Sequence, residues 1–551
     1  MPAPRTAAFA DLWEMAVDCL EERDQADRDA LVIFGRDPDG SAAGTGRRSY
    51  AQLEANANRF ANHLVSLGVQ PGDRIALYLE NRPEYLEAML GAYKVRAVPI
   101  NVNFRYVEGE LRHLLGDAGA RVVLHERHFT PALEAILPDL PAVEHTIEMG
   151  DDYDRALASA SPERPAVERS GDDHYILYTG GTTGLPKGVV WRQEDAFYAC
   201  LGGGDPMRLQ GPVADLSELP DRMADGFVAV LLAPFMHAAG SWVTLMWNIA
   251  GGTAILPRGP LDPELVWDTI DAEGANLLTV IGDAVGRPVL DAWEANPGRW
   301  KGEHLFSISN GGAPMSASLK TRIVETFPNV VLADGFGSSE AGAQGSARLT
   351  SDDVRSARGV SQFQPMDDTT VVLGVDDRPL EPGSPETGRV ARTGRLPLGY
   401  LNDPEKTDRT FVTIDGARWL ITGDLARVGA DGTIELLGRD SATINTGGEK
   451  VHGEEVESVL KGHPSVYDVI VVGVPDERWG TAVCAVVQPA PGYEPDLDEL
   501  AEHCRTELAG FKLPRHLVVV DRIERSPAGK ADLRWASAAA RAGVGTPAVE
   551  G

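Results

Sequence analysis

Apolar and polar positions follow two periods along this chain, and the two alternate for most of its length. Ser49 and Gln52 have the spacing of a capping box, which predicts the start of a helix, and Gly68 is placed to end it. The apolar face of that helix consists of Leu53, Phe60, Leu64 and Leu67. The same helical period predicts helices at residues 84–95, 263–272 and 317–327.

Short apolar runs between these helices predict strands. They lie at residues 74–79, 121–125, 228–232, 276–281, 305–309 and 330–333. Strands separated by helices are typical of a largely parallel sheet covered by helices, so we expect an α/β fold. Residues 202–226 mix Gly, Pro and acidic residues and are expected to form a loop-rich insertion.

After about residue 370 the pattern changes to shorter strands, as at 369–374 and 433–437. A second, smaller α/β pattern follows, with helices at 454–460 and 497–508 and strands at 467–472, 482–487 and 517–520. We therefore expect a large N-terminal domain (1–438), a hinge (439–442), a small C-terminal domain (443–540) and a tail (541–551). The Ala- and Gly-rich end, from about Ala536, is expected to fray.

Composition narrows the class of protein. Hydrophobic residues make up 43% and charged residues 24%, as in globular proteins. The formal net charge of -31 argues against nucleic acid or an anionic membrane as the main partner. The four cysteines have no metal or redox spacing, and neither a signal peptide nor a run of about 18 apolar residues is evident. We therefore expect a cytoplasmic protein.

A loop rich in Gly and Thr follows the predicted strand at residues 175–178. Between Tyr178 and Val189 it holds four glycines, three threonines, a proline and Lys187. Glycines let backbone N–H groups approach phosphate oxygens, and threonine hydroxyls and a lysine add donors and charge. Pro186 before the lysine and Gly188 after it exclude a Walker A loop. The loop alone predicts phosphate binding.

Seven motifs in order give the chain a resemblance to the adenylate-forming superfamily of acyl-CoA synthetases, luciferases and peptide-synthetase adenylation domains. Besides the loop they are residues 234–237, 310–314, 335–340, 419–424 with Asp424, 438–439 with Arg439 followed by 447–450 with Lys450, and 526–530 with Lys530. The resemblance implies a large domain of helix-covered sheets with a distorted β-barrel-like part, and a small mobile C-terminal α+β domain. It also implies ATP, Mg²⁺ and CoA as ligands.

Residue roles follow from the same resemblance. Lys530, Glu340 and Thr182 are the implied catalytic residues, and Glu340 is also the implied Mg²⁺ ligand. The implied ATP-binding residues are Thr179, Gly180, Gly181, Thr183, Gly184, Lys187, Gly312, Ala313, Pro314, Asp334, Gly335, Phe336, Gly337, Ser338, Ser339, Asp424, Arg439 and Lys450. The acyl pocket is expected near His237, Trp242 and Gly311, and the face that admits CoA near Gly447 and Gly448.

The motifs depart from the usual pattern in places that point to one branch. Gly180 replaces the usual Ser of the phosphate loop, and Ser339 stands where Thr is usual. Asp440-Ser441-Ala442 is an unusual hinge, so Ser441 as pivot rests on position alone. The combination of residues 178–181, 190–195, 337–340 and 529–532, together with 101–106 and 444–450, resembles actinobacterial fatty-acyl-CoA synthetases of the sterol side-chain degradation group.

Three functions are open at this point. A CoA ligase would join a carboxylic acid, by the resemblance a fatty acid or a steroid side-chain acid, to free CoA, and a carrier-loading ligase would pass the acyl group to a carrier-protein thiol. A nucleotide-binding module without catalysis would need neither step. Retention of Glu340, Asp424, Arg439 and Lys530 argues against the last, and the lack of a carrier domain in this sequence favours CoA. A homodimer is compatible with either ligase.

Overall fold

The computed structural model describes residues 3–35, 46–180, 185–224, 226–356, 362–446, 449–476, 478–525 and 530–544. They form an α/β protein, as the sequence predicts. None of the helices in these ranges combines the length and the apolar composition needed to cross a membrane.

The described strands, in chain order, are β1 Asp29–Gly35, β2 Gly46–Ser49, β3 Arg74–Tyr78, β4 Val98–Asn101, β5 Ala120–His125, β6 His145–Glu148, β7 His174–Thr179, β8 Lys187–Arg192, β9 Val228–Leu231, β10 Thr253–Arg258, β11 Leu277–Val280, β12 Ser307–Asn310, β13 Val331–Ser338, β14 Gly342–Leu349, β15 Gln362–Pro365, β16 Thr370–Leu373, β17 Gly388–Arg392, β18 Gly399–Tyr400, β19 Phe411–Ile414, β20 Ala417–Val428, β21 Ile434–Arg439, β22 Thr443–Thr446, β23 Glu449–His452, β24 Val466–Asp476, β25 Gly480–Pro489 and β26 His516–Val519.

The described α-helices are α1 Phe9–Glu22, α2 Tyr50–Ser66, α3 Pro83–Lys94, α4 Glu108–Ala118, α5 Thr130–Ile136, α6 Asp151–Ala158, α7 Gln193–Ala199, α8 Ala238–Ile249, α9 Pro263–Glu273, α10 Gly282–Ala295, α11 Ala317–Thr326, α12 Ser351–Ser356, α13 Pro404–Thr410, α14 Gly453–Leu460, α15 Leu497–Arg505 and α16 Leu533–Val544. The capping box predicted for α2 is present: the Ser49 hydroxyl accepts the Gln52 N–H, and the Gln52 side chain accepts the Ser49 N–H.

The largest sheet changes from parallel to antiparallel at β13. Strands β1, β10, β9, β11, β12 and β13 pair in parallel in that order. Beyond β13 the sheet continues through antiparallel partners, β14, β15, β21, β20, β17 and β16. Carboxyl ends of parallel strands meet at one edge, which is where α/β sheets bind ligands.

A second parallel sheet, in the order β4, β3, β5 and β6, lies in the N-terminal part. The antiparallel pair β7–β8 carries the phosphate loop between its strands, and β8 also pairs with β18. In the C-terminal part, β24, β25 and β26 form a small sheet with a hydrophobic cluster on each face, one lined by α14 and α15 and the other by α16.

Most predicted elements are confirmed with shifts of a few residues at their ends. The expectation that the chain frays from Ala536 is wrong, because α16 runs to Val544. Ala536 and Ala540 are fully buried against the small sheet. The 202–226 insertion is largely loop, but it contains a 3-10 helix, Leu216–Arg222, which the Asp215 side chain caps.

Candidate active site

Three segments that the motifs single out leave the carboxyl ends of strands in the parallel part of the largest sheet. Pro234–His237 follows β9, Gly311–Pro314 follows β12, and Glu340 follows β13. Asn310, the last residue of β12, holds this edge together: its Oδ1 accepts the Gly282 N–H at 2.7 Å, and its Nδ2 donates to the Ala313 carbonyl at 3.0 Å. The parallel sheet thus gathers residues that are far apart in sequence.

The described ends of the phosphate loop are held by side chains outside it. Thr179 ends β7, and Lys187 begins β8 directly opposite. The Lys187 Nζ pairs with Asp403 at 2.6 Å, and Asp403 also caps α13. Asn101 exchanges two hydrogen bonds with the Tyr178 backbone, at 2.7 and 2.9 Å. The predicted residues Gly181, Thr182, Thr183 and Gly184 lie outside the described residues.

Glu340 is held by a tyrosine from a distant segment. The Tyr400 hydroxyl donates to Glu340 Oε1 at 3.0 Å, and the Tyr400 side chain is buried. Burial and the neighbouring Glu340 carboxylate raise the pKa of Tyr400, so the hydroxyl stays a donor at neutral pH. The Lys406 ammonium lies over the Tyr400 ring, 4.4 Å from its centroid.

Asp424 and Arg439 face each other across β20 and β21. They are partners in the strand register, and the Arg439 Nε lies 3.3 Å from Asp424 Oδ1. The two side chains are partly to largely exposed, so the pair adds little to stability. A partly exposed carboxylate beside a guanidinium can accept hydrogen bonds from a polar ligand.

Lys530, which comes from the last segment of the chain, lies within electrostatic range of Glu340, Asp424 and Arg439. Surrounding protein and the Arg439 charge lower the pKa of its ammonium, and the two carboxylates partly oppose that shift. Its side chain nevertheless stays accessible to solvent. Protein therefore surrounds the amine without sealing it from solvent, and we call the region bordered by Lys530, Glu340, Asp424 and Arg439 the cleft.

His237 lies beside the same cleft. Its Nε2 is inaccessible and has no hydrogen-bond partner among the described residues. Burial first, and then the charges of Lys530 and Arg105, lower its pKa to about 4, so the ring is neutral at pH 7. Trp242 lies on α8, and its indole N–H donates to the Tyr175 hydroxyl at 2.7 Å.

Other predicted residues have protein partners. Asp334 is buried, with Asn310 at 2.7 Å on one oxygen and Lys320 at 2.5 Å on the other. The Asp334 carboxylate on β13 is therefore hydrogen-bonded to the end of β12. The Phe336 ring packs on Phe363, with centroids 5.0 Å apart.

The backbone around Glu340 is closely packed. A methyl group on Gly337 would lie 2.2 Å from the Gly342 carbonyl oxygen, so this position requires glycine. The Ser338 hydroxyl accepts the Ala341 N–H, and the Ser339 carbonyl accepts the Trp191 indole N–H. Gly335 lies in the same strand, and Gly312 has a φ of +84°, which favours glycine.

Lys450 is not part of the cluster. It lies exposed on the β22–β23 hairpin, and within the described ranges no contact joins it to Glu340, Asp424 or Lys530. The structure does not describe Gly447 and Gly448, the predicted CoA face.

The C-terminal part is docked on the N-terminal part through α10 and α11. The Lys461 ammonium is buried, 3.7 Å from Asp283, and the Lys461 carbonyl accepts the Ser318 hydroxyl at 3.1 Å. The Arg287 guanidinium lies 5.5 Å from the centroid of the Tyr467 ring. Burial opposes ionisation of Asp283, but Lys461 and Arg287 outweigh it and lower the pKa. This docking places Lys530 at the cleft.

Glu454 gives the docked state a pH dependence. Surrounding protein, then Glu457 and Asp424, raise its pKa from 4.5 to about 7. The folded state then binds more protons than the unfolded state between about pH 4.5 and 7, so stability falls as pH rises through this window. Glu454→Gln abolishes this titration. We expect its melting temperature, relative to wild type, to rise between pH 5 and pH 8.

Differential scanning fluorimetry at the two pH values checks this, with exposed Glu494→Gln as the matched control. The Glu454 carboxyl remains accessible to solvent, which screens the effect. A pH-independent difference between Glu454→Gln and wild type would contradict the prediction.

Sequence reasoning missed the residues that hold the motif residues in place: Asn101, Tyr400 and Asp403. Each acts across a large separation in sequence: Asn101 and Tyr178 are 77 residues apart, and Lys187 and Asp403 are 216 apart. No local period encodes such contacts. The one available signal was the run at 101–106, which resembles a family branch but suggested no role.

Two family models match the chain. The model described as AMP-binding enzyme matches residues 20–398, and the model described as AMP-binding enzyme C-terminal domain matches residues 455–530.

Similar proteins are named as CoA ligases. A medium/long-chain-fatty-acid–CoA/3-oxocholest-4-en-26-oate–CoA ligase from Mycolicibacterium smegmatis is 43% identical, over 96% of this chain and 95% of the relative. A 3-oxocholest-4-en-26-oate–CoA ligase from Rhodococcus rhodochrous is 42% identical over the same shares.

Solved structures share the fold. A Mycobacterium tuberculosis fatty acyl CoA synthetase has a TM-score of 0.69 at 28% identity and covers 97% of this chain and 99% of its own. ATP-bound MatB from Rhodopseudomonas palustris has a TM-score of 0.76 at 25% identity, with coverage of 95% and 98%.

Proposed function

The chain belongs to the AMP-binding enzyme family, as an ATP-dependent acid–thiol ligase of the acyl-CoA synthetase type, and we propose that it activates a medium- or long-chain fatty acid or the carboxylated side chain of a steroid. The names of the relatives point to these acids, and the placement of Lys530 within electrostatic range of Glu340 and Asp424 supports the adenylation, because it brings a cation and two carboxylates from both parts of the chain together.

The reaction has two steps. The acid's carboxylate oxygen attacks the α-phosphorus of ATP and pyrophosphate leaves, giving an acyl-adenylate. A thiolate sulfur then attacks the acyl carbon and AMP leaves, giving a thioester. Lys530 would stabilise the negative charge that develops in the first step, and Asp424 would accept hydrogen bonds from the ribose hydroxyls. Positioning and electrostatics suffice, and no covalent enzyme intermediate is needed.

The residues at Glu340 fit a magnesium ion. One oxygen of its carboxylate accepts the Tyr400 hydroxyl, which leaves the other available. Mg²⁺ prefers oxygen ligands and is commonly held by one or two carboxylates together with substrate phosphates. The ion would neutralise phosphate charge when bound. Glu340 would hold it, and Tyr400 would orient Glu340.

Movement of the C-terminal domain would separate the two steps. The proposed hinge, residues 439–442, coincides with the end of β21 and a 3-10 turn, Asp440–Ala442. The charged contact between Lys461 and Asp283 would have to open for Lys530 to withdraw. The resemblance implies that the thiol enters on the face near Gly447 and Gly448 in the second step.

A carrier-protein thiol is the alternative acceptor. The relatives named above are CoA ligases, which favours CoA.

A panel of short, medium, long, aryl and steroid acids, scored for CoA- and ATP-dependent thioester formation, tests the proposal. We expect kcat/KM at least about tenfold higher for medium- or long-chain or steroid acids than for aryl or short acids, since apolar pockets discriminate by buried methylene groups. Preference for a short or aryl acid would contradict the proposed substrates. Pyrophosphate release without a CoA thioester would indicate the carrier-loading alternative.

A further inference from the structure

The segment from Asn101 to Tyr106 lies against the start of the phosphate loop. Asn101 bonds both to the Tyr178 backbone and, at 2.7 Å, to the Met236 carbonyl. It therefore ties this segment to the β7 end and to the strand end that carries His237. None of the family roles outlined above uses any residue of the segment.

Helix α4, which begins directly after this segment, is tied to both flanks of the loop. The Tyr178 hydroxyl donates to Asp117 at 2.6 Å, and the His113 Nε2 lies 3.0 Å from the Pro186 carbonyl. Because α4 is fixed to residues on each side of the loop, the position of Tyr106, two residues before α4, is fixed as well.

The Tyr106 hydroxyl lies next to Gly180, a loop residue that has no side chain. A methyl group on Gly180 would lie 3.7 Å from the Tyr106 hydroxyl oxygen, with no other described atom outside its chain neighbours within 4 Å. Gly180 stands where a serine is usual in loops of this kind. The tyrosine hydroxyl therefore lies next to the space into which a serine hydroxyl would project.

The Tyr106 hydroxyl is a suitable donor. Burial, followed by the charge of Glu110, raises its pKa to about 12, against a weaker effect of Asn103, so it keeps its proton at neutral pH. The Asn103 Oδ1 already accepts the Arg105 N–H at 3.0 Å. Within the described part of the chain, no acceptor takes the hydroxyl proton.

We propose that the Tyr106 hydroxyl donates a hydrogen bond to a phosphate oxygen of ATP and so replaces the serine hydroxyl that Gly180 removes from the phosphate loop. The proposal rests on the proposed use of this loop for ATP. Tyr106 and Gly180 then act as a pair. Position 180 lacks the hydroxyl of a serine side chain, and the longer Tyr106 side chain supplies a hydroxyl from the neighbouring segment.

Equilibrium binding of a non-hydrolysable ATP analogue with Mg²⁺ tests this without any acid, so it does not depend on which substrate the enzyme activates. Tyr106→Phe removes only the hydroxyl, and we expect the dissociation constant to rise roughly tenfold, as for loss of a hydrogen bond to a charged group. Gly180→Ser in that background should restore affinity to within about threefold of wild type. The single Gly180→Ser variant should bind as wild type, since 3.7 Å is ordinary contact.

Tyr493→Phe, at an exposed tyrosine far along the chain, is the matched control and should leave binding unchanged. Wild-type affinity in Tyr106→Phe would overturn the proposal. A loss that Gly180→Ser does not reverse would overturn it too, because a purely structural role of Tyr106 has no reason to be relieved at position 180. If the wild-type protein binds the analogue but no acid causes pyrophosphate release, the proposed function fails. The pairing of Tyr106 with Gly180 can still be tested in that case, because it is measured by the dissociation constants of the analogue.

Discussion

Lys530→Ala is expected to lower the rate of acyl-adenylate formation on the order of 10²–10³-fold, the cost of removing one preorganised donor from a developing anion. The ammonium lies among Glu340, Asp424 and Arg439 in a part-enclosed cleft, where its charge acts more strongly than in bulk water. Pyrophosphate release with saturating acid and ATP measures this step.

Thioester formation from supplied acyl-adenylate and CoA should stay within about threefold of wild type in the same variant. Lys530 has no role in that step, because the C-terminal domain is proposed to have turned away. Lys530→Arg keeps the charge but replaces a compact ammonium with a rigid fork, so adenylation should recover only in part. Lys301→Ala, at an exposed lysine, is the control. Equal loss of both steps in Lys530→Ala would exclude separate roles.

The sequence predicted those parts of the fold that depend on local pattern. Helix α2 carries its capping box and its apolar face in consecutive turns, and β9 is a short apolar run between helices. The end of the chain shows where this fails. Alanine and glycine from Ala536 onward predict fraying, yet Ala536 and Ala540 are small enough to pack closely on β24 and β25, and that contact stabilises α16.

The candidate site was predictable in its motif residues and not in the residues that position them. Glu340, Asp424, Arg439 and Lys530 stand in ordered motifs, and the structure brings them to one cleft, although their roles stay predictions. The bond from Tyr400 to Glu340 joins residues 60 apart through a buried ring, and only the folded chain reveals it. Lys450 also stands in a motif, but in this docked arrangement its hairpin is exposed.

Glu340→Gln should raise the Mg²⁺ concentration needed for half-maximal adenylation at least about tenfold and lower the maximal rate on the order of 100-fold. The glutamine is isosteric and still offers an oxygen to the Tyr400 hydroxyl, so the local structure should survive while the negative charge is lost. Titration of Mg²⁺ in the pyrophosphate-release assay, at fixed ATP, measures both effects.

A second consequence distinguishes loss of the Glu340 charge from general damage to the protein. Glu340 opposes the lowering of the pKa of Lys530, so its replacement should lower the pKa of that ammonium further. The alkaline limb of the adenylation rate should therefore move to lower pH in Glu340→Gln than in wild type. Glu303→Gln, at an exposed carboxylate, should change neither the Mg²⁺ requirement nor the pH profile. An unchanged Mg²⁺ dependence in Glu340→Gln would remove Glu340 from the metal site, because a ligand that contributes charge cannot be neutralised without weakening the ion's binding.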